Sequence, residues 1–253
     1  MPDKKLLIDQ GNTRLKWVTA DNGKVDPASS GRGDIGDFKE AFPPAAPGLQ
    51  AVVLSSVAGN EKIQAVRNFC RERWGLDVNL CASRKEQGGV RNAYADPGTL
   101  GVDRWLAIIG AVNCYGKPLV IWDLGTASTL DAVDQNGQHL GGFIYPGPAT
   151  MLNSLSSDTK LRVPEDLEAS AKGAVGAEYP GVSPGISTAK CISRGVLAAQ
   201  LGALNQFQRN VSVRMGARPR LIVTGGAADR ILPLVDLEHT HDPWLVFRGM
   251  LVE

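Results

Sequence analysis

The chain has 253 residues, enough for one large domain or two modest ones with ample core. Its 27 Lys and Arg nearly balance 26 Asp and Glu for a net charge of +1, and the basic residues form no cluster beyond scattered pairs, which argues against nucleic acid as the principal partner. With 43% apolar and 21% charged residues, no apolar run long enough to cross a bilayer and no signal peptide after Met-Pro-Asp-Lys-Lys, a cytoplasmic globular enzyme with no membrane partner is expected.

Taken in order, Lys5 to Ala20 reads as a hairpin whose second strand sets Leu15 and Trp17 on one face and Lys16 and Val18 on the other. Val25 to Gly33 completes a small antiparallel sheet, and Asp34 to Phe42 forms a short helix stopped by Pro43-Pro44. A buried strand over Ala51 to Ser55, a helix over Asn60 to Trp74 and a strand over Val78 to Cys81 follow, so the first half reads β-β-β-α-β-α-β. Gln87 to Gly101 is a polar, glycine-rich connection of the length that is usually functional or disordered. Val102 to Tyr115 is predicted helical with Leu106, Ile109 and Val112 inward.

The second half opens with the strand Leu119 to Trp122, and its hairpin closes at Gly141 to Gly147. A helix is expected over Leu152 to Ser157, an irregular excursion over Pro164 to Gly185, and the longest helix over Thr188 to Arg209. Arg220 to Thr224 is a strand ending in Gly225-Gly226, and Asp242 to Val252 is an apolar closing segment. The expected domains are 1–116 and 117–253. Cys70, Cys81, Cys114 and Cys191 lack Cys-x-x-Cys spacing and are expected to be buried thiols. His239 and His241 would share a face in a strand, but without a third ligand a polar loop outweighs zinc.

Two stretches organise this pattern. Leu7 to Arg14 and Leu119 to Thr129 each run as a buried apolar strand into Asp-x-Gly, then into hydroxyl and amide side chains: Asn12 and Thr13 in one, Thr126 and Thr129 in the other. Glycine lets backbone approach a ligand, and successive N–H groups beside hydroxyls make an anion site. An aspartate at the strand end suits a metal ion held against phosphate. The same spacing separates Asp9 from the Asn22-Gly23 turn and Asp123 from the Asn136-Gly137 turn, as a duplicated domain with a nucleotide between its halves would give.

These landmarks resemble the type III pantothenate kinases of the actin-like ATPase superfamily. The first phosphate motif stands at Asp9 to Arg14 with Lys16 after it, and the Tyr-x-x-Pro segment at Tyr94 to Pro97. The Gly-x-Asp-Arg substrate motif is Gly101-Val102-Asp103-Arg104, and the second phosphate motif is Asp123 to Thr129. Gly141 to Gly147, the helix with Thr188 and Gly195, and Thr224 to Gly226 complete the set over almost the whole chain. Gln10 stands where an apolar residue is usual, and Ser187 where Asn is often found.

The resemblance implies an α/β fold of two ribonuclease-H-like domains with a cleft between them, and ATP-dependent phosphorylation of pantothenate, the first step towards coenzyme A. By it, Asp103 is the catalytic base, and Tyr94, Gly101, Val102, Arg104 and Thr188 line the pantothenate pocket. Asp9, Gln10, Gly11, Asn12, Thr13, Arg14, Leu15, Lys16 and Thr126 bind ATP, Asp9 with magnesium, and Asp123 binds a monovalent cation, K+ or NH4+. A homodimer is also implied. From local sequence alone the same residues have blander uses: Asp103 as a helix cap or partner of Arg104, Arg104 as a surface arginine, Tyr94 as core packing, Thr188 as an N-cap, and Lys16 turned to solvent. Two alternatives share the scaffold: a non-catalytic regulatory protein, and another small-molecule kinase that need not keep Tyr94 together with Gly101 to Arg104.

Overall fold

The computed structural model describes residues 3–12, 14–42, 48–158 and 182–252. Thr13, Pro43-Pro44 and most of the Pro164 to Gly185 excursion lie outside the described residues. The chain divides into two compact units, Met1–Gly116 with Trp244–Glu253, and Lys117–Pro243.

The first unit contains β1 (Lys4–Gln10), β2 (Leu15–Asp21), β3 (Lys24–Gly33), α1 (Ile35–Ala41), β4 (Leu49–Ser56), α2 (Asn60–Trp74), β5 (Val78–Leu80), β6 (Glu86–Gln87), β7 (Val90–Arg91) and α3 (Val102–Tyr115). Its five-stranded sheet runs β3-β2-β1-β4-β5. β1, β2 and β3 pair antiparallel, and β4 and β5 continue parallel to β1. Leu6, Leu7 and Ile8 are wholly buried, the continuous apolar run a central strand covered on both faces requires. Asn22 and Gly23, at φ 48° and 74°, form the two-residue turn between β2 and β3. α1 opens with a reciprocal cap: the Asp34 carboxylate accepts from the Gly36 and Asp37 N–H groups, and Asp37 accepts from the Asp34 N–H. Trp17, Phe38, Phe42, Phe69 and Trp74 pack mostly edge to face and glue both helices to the sheet.

The second unit contains β8 (Leu119–Leu124), β9 (Ala127–Val133), β10 (His139–Pro146), α4 (Pro148–Asp158), α5 (Thr188–Met215), β11 (Arg220–Thr224), α6 (Ala228–Ile231) and β12 (His239–His241). Its sheet runs β10-β9-β8-β11-β12 and repeats the first sheet strand for strand, three antiparallel and two parallel. Ile192, Val196, Leu197, Leu204, Phe207 and Val211 lay one stripe of α5 on Val120, Trp122, Leu130 and Ala132 of the sheet.

Several expectations need correction. The last ten residues, assigned to the second half, belong to the first unit, where α7 (Leu245–Gly249) packs on α3. That contact is close because it is made by glycines: a Cβ on Gly110 would lie 2.4 Å from the Leu245 carbonyl oxygen, and one on Gly249 would lie 2.0 Å from that of Leu106. The polar connection is not structureless, since β6 and β7 form a hairpin through Gly88-Gly89. His239 to His241 is a strand rather than a loop, and Cys114 and Cys191 are exposed rather than buried. α4 and α5 are longer than their apolar spacing suggested. Among the described residues no helix is long and apolar enough to cross a membrane.

Candidate active site

The central strand of the first sheet delivers Asp9 to its carboxyl end. Parallel pairing places Ser55 of β4 opposite Asp9, and antiparallel pairing places Lys16 of β2 on the other side. Burial raises the Asp9 pKa above the ordinary carboxylate value; the Lys16 ammonium lowers it, the charge of Asp103 raises it, and the Ser55 hydroxyl lowers it. Asp9, Lys16, Ser55 and Asp103 therefore form one electrostatic group within this unit. Lys16 is exposed, yet its charge reaches Asp9.

After Asp9 the chain turns tightly, with the Gly11 N–H donating to the Arg14 carbonyl at 3.0 Å. Asn12 and Arg14 are exposed, and Gly11 is half-buried. Gln10 and Leu15 turn inward: Gln10 is 2% exposed and Leu15 is 5% exposed. The Gln10 amide donates to the Lys62 carbonyl at 3.1 Å and accepts from the Ser56 hydroxyl at 2.9 Å, so its side chain is occupied in fastening β1 to β4 and α2. Lys62, in the first turn of α2, donates its ammonium to the Asn12 carbonyl.

The substrate motif is assembled on a loop that its own side chains order. Asn92 accepts from the Tyr94 N–H at 3.0 Å and donates to the Arg84 carbonyl at 3.2 Å. Asp96 caps the turn Pro97–Thr99 by accepting from the Gly98 N–H at 3.0 Å, and Ser83 ties down the Leu100 carbonyl at 2.8 Å. α3 then starts at the Gly101 cap, with Val102 and Asp103 half-buried in its first turn. The Asp103 carboxylate accepts from the Arg104 N–H at 2.8 Å. Arg104 is 8% exposed, its guanidinium donates to the Tyr94 hydroxyl at 3.1 Å, and its carbon lies 5.9 Å from the ring centre. Tyr94, Asp103 and Arg104 are thus brought together, with Asp9 within electrostatic reach of Asp103.

In the second unit Asp123 is the last residue but one of β8, with Thr129 opposite it on β9 and Thr224 opposite it on β11. The Thr126 side chain is exposed, while its carbonyl accepts from the Gly147 N–H at 2.9 Å and the Thr150 hydroxyl at 2.6 Å. Gly225, at φ +98°, approaches so closely that a Cβ there would lie 2.5 Å from the Asp123 carboxylate and 2.4 Å from the Leu124 nitrogen. The buried Gln200 side chain bonds both the Ser128 hydroxyl and the Pro146 carbonyl, tying α5 to the strands beside this loop. Thr188 is the exposed first residue of α5, after the Ser187 cap.

The oxygen donors about Asp9 are the Ser55 hydroxyl beside it and the Asp103 carboxylate nearby, with the Lys16 ammonium on the antiparallel side. That donor set fits a hard cation, and Mg2+ typically takes one or two carboxylates while phosphates and waters fill its shell. Accordingly, among the described residues no group of three or more His, Cys, Asp or Glu stands ready to hold a metal. Ser55 and Lys62 escaped the sequence reading. Their one signal was position, at the end of a parallel strand and the start of the following helix.

Two sheets of identical order, each ending its central strand in Asp-x-Gly, define an actin-like ATPase fold of two ribonuclease-H-like domains. Solved structures of this likeness include a Campylobacter jejuni protein classed with the Baf family transcriptional activators, at TM-score 0.58 and 22% identity over 97% of this chain and 94% of that one. Another is the ethanolamine utilization protein EutJ from Carboxydothermus hydrogenoformans, at TM-score 0.55 and 13% identity over 99% and 90%. Both speak to the fold alone. The family model for type III pantothenate kinases matches residues 5–210. A type III pantothenate kinase of Nitrosococcus oceani is 34% identical over 97% of this chain and 91% of its own length. One of Burkholderia thailandensis is 34% identical over 97% and 95%. The chain belongs to the type III pantothenate kinase family.

Proposed function

We infer that the chain catalyses ATP-dependent phosphorylation of pantothenate to 4'-phosphopantothenate, the first step of coenzyme A biosynthesis. The observation that carries the residue assignment is the joining of Tyr94, Asp103 and Arg104 at the start of α3, in electrostatic contact with the first phosphate loop. Asp103 accepts the proton of the primary hydroxyl and orients its oxygen towards the terminal phosphate. Phosphoryl transfer passes through a loose transition state, so this orientation matters more than the basicity of the carboxylate. Arg104, pre-set by Tyr94, binds polar oxygens of pantothenate, with Gly101 and Val102 beside it at the start of α3; Thr188 keeps the substrate-binding role that the family implies.

Gly11, Asn12, Thr13, Arg14 and Lys16 hold the ATP phosphates; in the second unit, Thr126 takes the ATP-binding role that the family implies. Gln10 and Leu15 serve through their backbones, because their side chains face inward. Asp9 is the residue to hold Mg2+, which when bound neutralises charge on the transferring group. Asp123 is the residue to hold K+ or NH4+, beside the hydroxyl residues Thr129 and Thr224 that pair opposite it. The enzyme works in the cytoplasm as a homodimer. The edge strand β10 supports the dimer, since it bears Phe143 and Ile144 at 41% and 62% exposure, apolar surface that a second copy would cover.

The test is ADP release from ATP with magnesium and potassium, with and without pantothenate, and phosphopantothenate sought by mass spectrometry. Pantothenate-dependent release is expected, whereas nucleotide binding without turnover would reject the assignment. Activity is also expected to rise when sodium is replaced by potassium or ammonium. Indifference to the monovalent ion would remove the role given to Asp123.

A further inference from the structure

We propose that Gln87 is a positioning residue for phosphoryl transfer, holding the helix that carries Asp103 and Arg104 through its side-chain amide. The inference rests on the roles given above to those two residues.

Three segments distant in sequence meet at this amide. Gln87 ends β6, in the hairpin that leads into the Tyr94 loop. Its Oε1 accepts from the indole Nε1–H of Trp105 at 3.1 Å, and its Nε2 donates to the Val252 carbonyl at 3.0 Å. Both ends of the amide are therefore engaged with partners of opposite character, and turning it over would set like against like on both sides. Trp105 is wholly buried and follows Arg104 directly, so the hydrogen bond acts on the first turns of α3, where Asp103 also sits.

The surroundings leave little freedom. A Cβ on Gly88, the next residue, would lie 2.8 Å from the Val252 side chain and 3.5 Å from that of Ile109. Further along α3, Gly110 and Gly249 bring α7 into backbone contact. α7, β4 and β7 pack against α3, and within the first turns of that helix Gln87 holds Trp105. The Asp103 carboxylate projects from those turns, and near-attack geometry is sensitive to displacements of about 1 Å. Gln87 itself touches neither Asp103 nor Arg104 through any of these bonds, so it acts through the helix.

The experiment compares Gln87→Leu, Trp105→Phe and the double variant with wild type, by steady-state kinetics in both substrates and by thermal melting. Gln87→Leu keeps most of the volume and removes both hydrogen bonds; Trp105→Phe removes one donor from the opposite side. Each single variant is expected to lose about tenfold in kcat. KM for ATP should stay within about twofold of wild type, because the phosphate loop on β1 and β2 is untouched. The double variant should be no slower than the slower single one, since both break one linkage. Wild-type kcat in a folded single variant, or losses that multiply in the double, would overturn the proposal. So would a kcat loss matched by the fraction unfolded at the assay temperature. If Gln87→Leu fails to fold, Trp105→Phe alone decides, by its kcat and its ATP KM. A wild-type enzyme with no pantothenate-dependent ADP release would instead overturn the functional reading, and this inference with it.

Discussion

The two sheets are copies in topology and differ in what they set beside their aspartates. Asp9 has Ser55 opposite it on the parallel side, and Asp123 has Thr224 in the same position. Just beyond, the Val57 N–H donates to the Gln10 carbonyl as the Ala227 N–H does to that of Leu124. The antiparallel side is where they part: Asp9 faces Lys16, whereas Asp123 faces Thr129. The loops differ with it, running from Gly11 to Arg14 in the first unit and through Gly125 and Thr126 alone in the second. A longer loop with an internal cation suits a charged ligand of several phosphates. A short loop pinned by Gly147, Thr150 and Gly225 suits a small fixed cation site. The two copies of one scaffold thus differ in loop length and in one residue on the second strand.

If the chemistry belongs to the first unit, the largest effect should come from Asp103→Asn. That change keeps size and removes the proton acceptor, so kcat should fall by roughly 100-fold or more with ATP binding nearly intact. Single-turnover kinetics with nucleotide binding measured by calorimetry would check it; equal turnover would remove Asp103 as base. In the second unit the effect should be on the scaffold. Gly225→Ala places a methyl against Leu124 and Asp123 in a left-handed backbone, and should cost on the order of 3 kcal/mol. Among the described residues Gly11→Ala meets only the Arg14 carbonyl, at 3.4 Å, and should leave the melting temperature almost unchanged. Melts of the two alanine variants side by side would break the comparison if Gly11 proved the more sensitive.

Asp9 gives a smaller effect, with a sign that separates function from stability. Its folded pKa lies above the ordinary value near 3.8, mainly through burial. Between the unfolded and folded values the native state binds the extra proton, so stability present below the unfolded pKa is lost as pH rises through the folded one. Above the folded pKa the ionised carboxylate therefore costs stability. Asp9→Asn should raise the apparent melting temperature of the ligand-free protein by roughly 2 °C while removing ATP turnover. The gain should shrink as the pH falls through the folded pKa of Asp9. A variant that melts no higher than wild type at any pH from acid to alkaline would count against this account.

Much of this comparison was legible before any coordinates. Asp9, Asp123 and the matching Asn-Gly turns announce a duplication because glycine-bearing strand ends and tight turns are local requirements. The helices Asn60–Trp74 and Val102–Tyr115 match their apolar periodicity to the residue. What local pattern cannot carry is long-range registry. Nothing near Ser55 says that it will lie opposite Asp9, since a parallel pairing forms across an intervening hairpin. Likewise α7 reads as an ordinary apolar ending, and its return to α3 depends on Gly110 and Gly249, whose significance appears only when two backbones meet. The direction of the Gln10 side chain is illegible in the sequence for the related reason that at a strand end it is set by neighbours, here Ser56 and Lys62.

Lys62 gives the finest test of the difference between the two loops. It belongs to α2, yet its ammonium bonds the Asn12 carbonyl, within the loop assigned to the ATP phosphates. An exposed lysine in that position can hold the loop before nucleotide arrives and add positive charge once it does. Exposed ionic contacts are individually weak, so Lys62→Met should raise KM for ATP by about threefold to fivefold and leave kcat and KM for pantothenate near wild type. The increase should shrink as ionic strength rises, because screening weakens the charge that the variant lacks. A rise in KM for pantothenate instead, or a salt-independent loss, would mean that Lys62 shapes the fold around Asn12 and does not meet the nucleotide's charge.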